Sequence, residues 1–152
     1  MTVEHQADLR LSSASAAGAA VVGIVGAAAL GAAGILTPSG IESGPGMCPF
    51  AMITGLPCPG CGLTRSWVAF MHGDVAAAFG FNLFGPVLLV LTAVTALLAF
   101  ATLARRRRSP LSGWRDVVVG PVGAVFLAVW IGYGLFRLAD AAAGWGIFPI
   151  VV

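Results

Sequence analysis

The chain's three cysteines, Cys48, Cys58 and Cys61, fall within fourteen residues. A Cys-x-x-Cys pair such as Cys58 and Cys61 places two sulfurs near enough to close a disulfide or to bind one metal ion. Cys48, ten residues earlier, supplies a third thiolate. A closed structural zinc site takes four protein ligands, whereas three ligands with an open position is the arrangement of a reactive site. The segment therefore reads as a ligand set for zinc or another thiophilic metal.

The run Cys58-Pro59-Gly60-Cys61-Gly62 sharpens that reading. It resembles the knuckles of zinc ribbons and rubredoxins, where a tight turn aims backbone N–H groups at the sulfurs and glycine supplies the required dihedral. A redox reading stands beside it. Cys58 and Cys61 lie just before an expected helix N-terminus, where the helix dipole and Arg65 would favour a thiolate. In this the chain resembles membrane thiol oxidoreductases of the disulfide-forming kind, although those commonly use two cysteine pairs. The third reading is a Cys48–Cys58 or Cys48–Cys61 bridge that staples the loop of a non-catalytic accessory subunit.

Other side chains in the segment carry weaker signals. Arg65 suits bidentate contact with a carboxylate or phosphate, and Thr64 beside it can join that anion or lipid contact. His72 is eleven residues past Cys61, or about 16 Å along a continuous helix, so one ion cannot touch both. It is kept as an outer residue on the same stripe as Cys61 and Arg65. Met47, Met52 and Met71 would favour Cu(I) if they joined the thiolates, and otherwise serve as apolar filler. No Ser-His-Asp arrangement, phosphate-binding loop or carboxylate pair supports a hydrolase or kinase, and enzymatic activity stays open. Asp74 and Asp140 stand alone.

The elements that must position these residues are set by lipid. Of 152 residues, 59% are hydrophobic and 9% charged, against roughly 25% charged in an average soluble domain. Eight arginines, no lysine and six acids cannot give a soluble domain a polar surface. Three uncharged apolar stretches, Ala14–Thr37, Leu83–Ala104 and Val117–Phe136, each reach the roughly 20 residues that cross a bilayer as helix. The first is almost wholly Ala, Gly and Val, so a cleaved signal peptide is its alternative.

Arginine placement gives an orientation, because positive residues flanking spans stay cytoplasmic. Arg105, Arg106, Arg107, Arg108 and Arg115 lie between the second and third stretches, and Arg10 precedes the first. With these inside, the cysteine loop is extracytoplasmic. The arginine run is an anchor or a contact for anionic lipid rather than a nucleic-acid site. The lipid bilayer is the expected partner, with a second membrane protein or another copy of the chain also open.

Local patterns fill in the loop. Leu63, Trp67, Phe70 and Met71 repeat at helical spacing, and Asp74 can cap a short helix over Val75–Phe79. Pro38-Ser39-Gly40 and Gly44-Pro45-Gly46 read as turns. Gly85-Pro86 and Gly120-Pro121 fit helix openings, and Arg137 and Asp140 are spaced to pair at the interface. The expected protein is an all-α integral membrane protein with three transmembrane helices, a cysteine-bearing extracytoplasmic loop and short interfacial amphipathic helices. Its parts are a cytoplasmic tail 1–13, spans 14–37, 83–104 and 117–136, the cysteine loop 38–82, a basic cytoplasmic loop 105–116 and an extracytoplasmic or interfacial tail 137–152.

Cys48-Pro49-Phe50, Thr54-Gly55-Leu56-Pro57 and Cys58-Pro59-Gly60-Cys61-Gly62-Leu63-Thr64-Arg65 together resemble the bacterial membrane family catalogued as domain of unknown function 2752. The resemblance implies an extracytoplasmic-loop motif of unassigned activity and names no reaction. Where that family's pattern leads to an expected Asn-Pro before the next span, this chain has Asn82-Leu83-Phe84-Gly85-Pro86.

Overall fold

The computed structural model describes residues 13–42, 48–58, 60–105 and 109–148. The N-terminal tail with His5 and Arg10, the Gly44-Pro45-Gly46 segment where a turn is expected, Met47, Pro59, Arg106–Arg108 and residues 149–152 lie outside the described residues. The described chain is helical and contains no strand. Its helices are α1 (Ser13–Ile35), α2 (Pro38–Glu42), α3 (Pro49–Thr54), α4 (Leu63–Met71), α5 (Val75–Phe81), α6 (Gly85–Arg105), α7 (Ser109–Val119) and α8 (Pro121–Ala143).

Within α1, α6 and α8, the stretches Ala14–Ile35, Gly85–Arg105 and Pro121–Ala143 are long and apolar enough to cross a membrane. Their outward faces carry Val21, Ile24, Val25, Leu97, Val122, Val125 and Leu135 exposed. So much large apolar surface on long helices is what a lipid solvent requires, since a soluble protein keeps such patches small.

Helix ends follow local chemistry. Pro86 and Pro121 stand in first turns, where a missing N–H breaks no helical bond. Asp74 caps α5 as expected, its Oδ1 accepting the Ala77 N–H at 2.9 Å. Pro38-Ser39-Gly40 departs from the expected turn and forms the single-turn helix α2, which Thr37 opens by accepting the Gly40 N–H on its hydroxyl at 3.3 Å. The segment following Arg108 is also helical, as α7.

The third apolar helix is displaced from its expected position. It starts at Pro121 rather than Val117 and runs to Ala143, so Arg137 and Asp140 lie inside it. Glycine permits the tight α7–α8 junction, because a Cβ on Gly123 would strike the Val118 carbonyl and one on Gly120 the Asp116 carbonyl.

By its contacts the chain forms two compact units, Met1–Leu30 with Val90–Ala124, and Gly31–Leu89 with Val125–Val152. In the first, Gly23 and Gly26 of α1 meet Phe100, Ala99, Ala96 and Thr92 of α6, and Trp114 Nε1 donates to Thr95 Oγ1 at 2.9 Å. The second contains all three cysteines. There α4 and α5 pack together, and Ser66 Oγ donates across to the Ala78 carbonyl at 2.7 Å. Gly85 lets the start of α6 close over that hydroxyl, since any Cβ at this position would overlap Ser66. Phe84, Phe126, Tyr133, Phe136 and Phe148 pack ring against ring, with centroids 5.3 to 5.7 Å apart.

Candidate metal centre

Local geometry brings the three sulfurs together. Cys48 precedes α3, whose first residue is Pro49 and whose end is turned by Gly55 at φ 69°. The chain then reverses through a tight turn, with the Cys61 N–H on the Cys58 carbonyl at 3.0 Å and the Leu63 N–H on the Gly60 carbonyl at 3.1 Å. Gly62, at φ 80°, leads into α4, a left-handed conformation that glycine adopts without the steric penalty of a Cβ. The glycine expected to supply the knuckle's unusual dihedral therefore does so.

Cys48 Sγ lies 3.3 Å from Cys58 Sγ, and Cys58 Sγ lies 3.2 Å from Cys61 Sγ. All three sulfurs are within 4.8 Å of one another, and all three cysteines are free. A tetrahedral ion with metal–sulfur bonds of about 2.3 Å sets its sulfurs about 3.8 Å apart. The observed spacings are well beyond a covalent bond and lie within about 1 Å of those that surround an ion. The Cys58 N–H donates to Cys61 Sγ at 3.1 Å, the kind of N–H···S contact that stabilises charge on a bound thiolate.

The cysteines differ in their surroundings. Cys48 and Cys58 are partly exposed, and Cys61 is buried. The Ala51 backbone N–H beside Cys48 lowers its thiol below the ordinary value, with help from the neighbouring sulfurs. Burial, followed by the proximity of Cys58, pushes the Cys61 thiol up to about 12. At Cys61 desolvation is the larger effect, against the thiolate expected there.

A polar layer lies beneath Cys61. Its carbonyl accepts from Asn82 Nδ2 at 3.2 Å and from Arg137 Nη1 at 3.0 Å. Asn82 is fully buried, and its Oδ1 accepts the Phe84 N–H at 3.0 Å. Tyr133 presents its hydroxyl oxygen to the Leu83 N–H at 3.3 Å. The residues between α5 and α6 are thus fastened to both the knuckle and α8.

Arg137 and Asp140 are each 2% exposed and do not form the solvated pair that their spacing suggested. Asp140 instead accepts the Ile147 and Phe148 N–H groups, both at 3.0 Å. The Arg137 guanidinium stands 5.7 Å from the Tyr133 ring centre and 6.0 Å from that of Phe148, and its Nε has no hydrogen-bond partner.

The remaining sequence candidates are not gathered at the sulfurs. Thr64 is exposed. Arg65 is half-buried and lines a small recess of about 10 Å3 with Pro38, Ile41, Val68, Ala69 and Phe81. His72 is exposed at the end of α4, and its Nδ1 lies 2.9 Å from the Val68 carbonyl. Met52 is exposed, and the Met71 terminal methyl lies against Gly34. The sequence reading missed the roles of Ser66, Asn82 and Arg137. One signal was available for Arg137, since an ionisable residue in an apolar helix that runs on to Ala143 is a functional candidate by default.

No curated protein and no solved structure matches the chain. Residues 48–96, which run from the first cysteine through the knuckle and the Asn82 layer into α6, match the family described as "Protein of unknown function (DUF2752)".

Proposed function

We propose that the chain is a membrane metal-binding protein whose Cys48, Cys58 and Cys61 thiolates hold one thiophilic ion, zinc being the leading choice. The observation that carries this is the convergence of three free sulfurs within 4.8 Å. Three cysteines brought together by unrelated local devices, an extended residue before α3 and a glycine turn before α4, form a ligand set that a loop staple does not require. Three protein ligands leave one coordination position for an exogenous group. The arginines between the second and third apolar helices support placing the cluster at the extracytoplasmic face.

The test is metal analysis of protein purified in detergent without chelator, paired with thiol alkylation before and after chelation. One equivalent of metal is expected, with the thiols alkylated only after chelation and the metal lost in Cys58→Ser. A metal-free protein with an exchangeable disulfide would overturn the reading in favour of thiol–disulfide exchange. A metal-free protein with an inert disulfide would leave an accessory subunit with a stapled loop.

A further inference from the structure

Arg137 stands out among the buried groups. It is 2% exposed in the longest apolar stretch near the knuckle, where a charge is costly and usually has a defined partner. Asp140, one turn along the same helix, is the obvious candidate. Yet among the described residues no ion pair joins them, and the Asp140 carboxylate takes two backbone N–H groups at 3.0 Å. The guanidinium has only the Cys61 carbonyl at 3.0 Å, two aromatic rings, and an Nε without an acceptor. A guanidinium keeps its charge inside a protein, so among the described residues Arg137 is a buried cation without a carboxylate partner.

We propose that Arg137 is the counter-charge of the three-cysteine site, a positioning residue that stabilises the loaded centre electrostatically through its seat on the Cys61 carbonyl. This inference rests on the metal reading above. Three thiolates around a divalent ion leave one negative charge, at a cluster partly cut off from solvent. Arg137 lies one carbonyl away from a ligand sulfur, on the buried side of the knuckle. A loaded site places an anionic neighbour beside the guanidinium. The site and the third apolar helix are thereby coupled, and the arginine favours the ion in the low-dielectric setting where a charge acts most strongly.

Co2+ serves as the probe in detergent-solubilised protein, with affinity read by titration and geometry read from the d–d and thiolate charge-transfer bands. Arg137→Gln keeps a donor for the Cys61 carbonyl and removes the charge. Its Co2+ affinity is expected to fall by about 10- to 100-fold, the usual range for an outer-sphere partner, with band positions unchanged. Arg137→Lys keeps the charge and is expected to retain most of the affinity. Asp140→Asn removes a buried negative charge one turn from Arg137 and keeps one of the two acceptors for the Ile147 and Phe148 N–H groups, so it should bind Co2+ several-fold more tightly. This variant carries the test if Arg137 variants do not fold.

Wild-type affinity in Arg137→Gln, or shifted bands in that variant, would overturn the proposal by making the role purely geometric. Unchanged binding in Asp140→Asn would also overturn it. Failure of the wild type to bind Co2+ at all is a different result, since it removes the metal reading itself.

Discussion

Where α1 meets α6, in the unit formed by Met1–Leu30 and Val90–Ala124, packing is achieved with small side chains. A Cβ on Gly26 would stand 3.0 Å from Ala96 Cβ, and one on Gly23 would stand 3.2 Å from the Phe100 ring. Around the knuckle, in the other unit, the interior is instead held by Ser66, Asn82, Arg137 and the Cys61 carbonyl. Lipid is as apolar as leucine, so helices in it gain little from apolar burial and associate through close packing and hydrogen bonds. The first unit uses the less costly of these means. The second buries a charge and an amide, which is a poor route to stability and a good route to holding one loop in one geometry.

That contrast can be broken experimentally. The largest effect is expected from Asn82→Leu, which leaves the Phe84 N–H without its side-chain acceptor and removes one of the two side-chain donors to the Cys61 carbonyl. One N–H left unsatisfied and one further hydrogen bond lost cost about 2–4 kcal/mol together. Denaturation in mixed micelles should show the loss, and metal titration should show weakened binding as well. Gly26→Leu is expected to cost about 2 kcal/mol through overpacking against Ala96, while leaving metal affinity at the wild-type value. A metal defect in Gly26→Leu, or its absence in Asn82→Leu, would erase the distinction between the two interiors. The smallest change is expected from Asp74→Ala, which removes the α5 N-cap and should lower stability by about 1 kcal/mol, with the sulfur cluster intact.

Much of this protein could be read directly from residue order. Apolar stretches of span length announce helices in lipid whatever their neighbours. Asp74, Pro86 and Pro121 mark helix starts because capping and the missing proline N–H are local properties. Gly62 was legible for the same reason, since a Cys-x-x-Cys-Gly turn needs a left-handed residue after its second cysteine. The helices α2 and α7 were less visible, being short and interrupted by proline and glycine. The end of the third apolar helix was misplaced because Arg137 and Asp140 look like a boundary when read as hydropathy alone.

Sequence alone thus determined the helical class, the three apolar stretches, and which cysteines could share an ion, because each depends on composition or on contacts within about fourteen residues. Tertiary structure alone decided that the sulfurs converge, that burial suppresses ionisation at Cys61, and that Asn82 and Arg137 both serve its carbonyl. The physical reason is distance along the chain. The hydrogen bond from Arg137 to Cys61 closes across 76 residues, and no local pattern specifies which carbonyl a buried guanidinium will find.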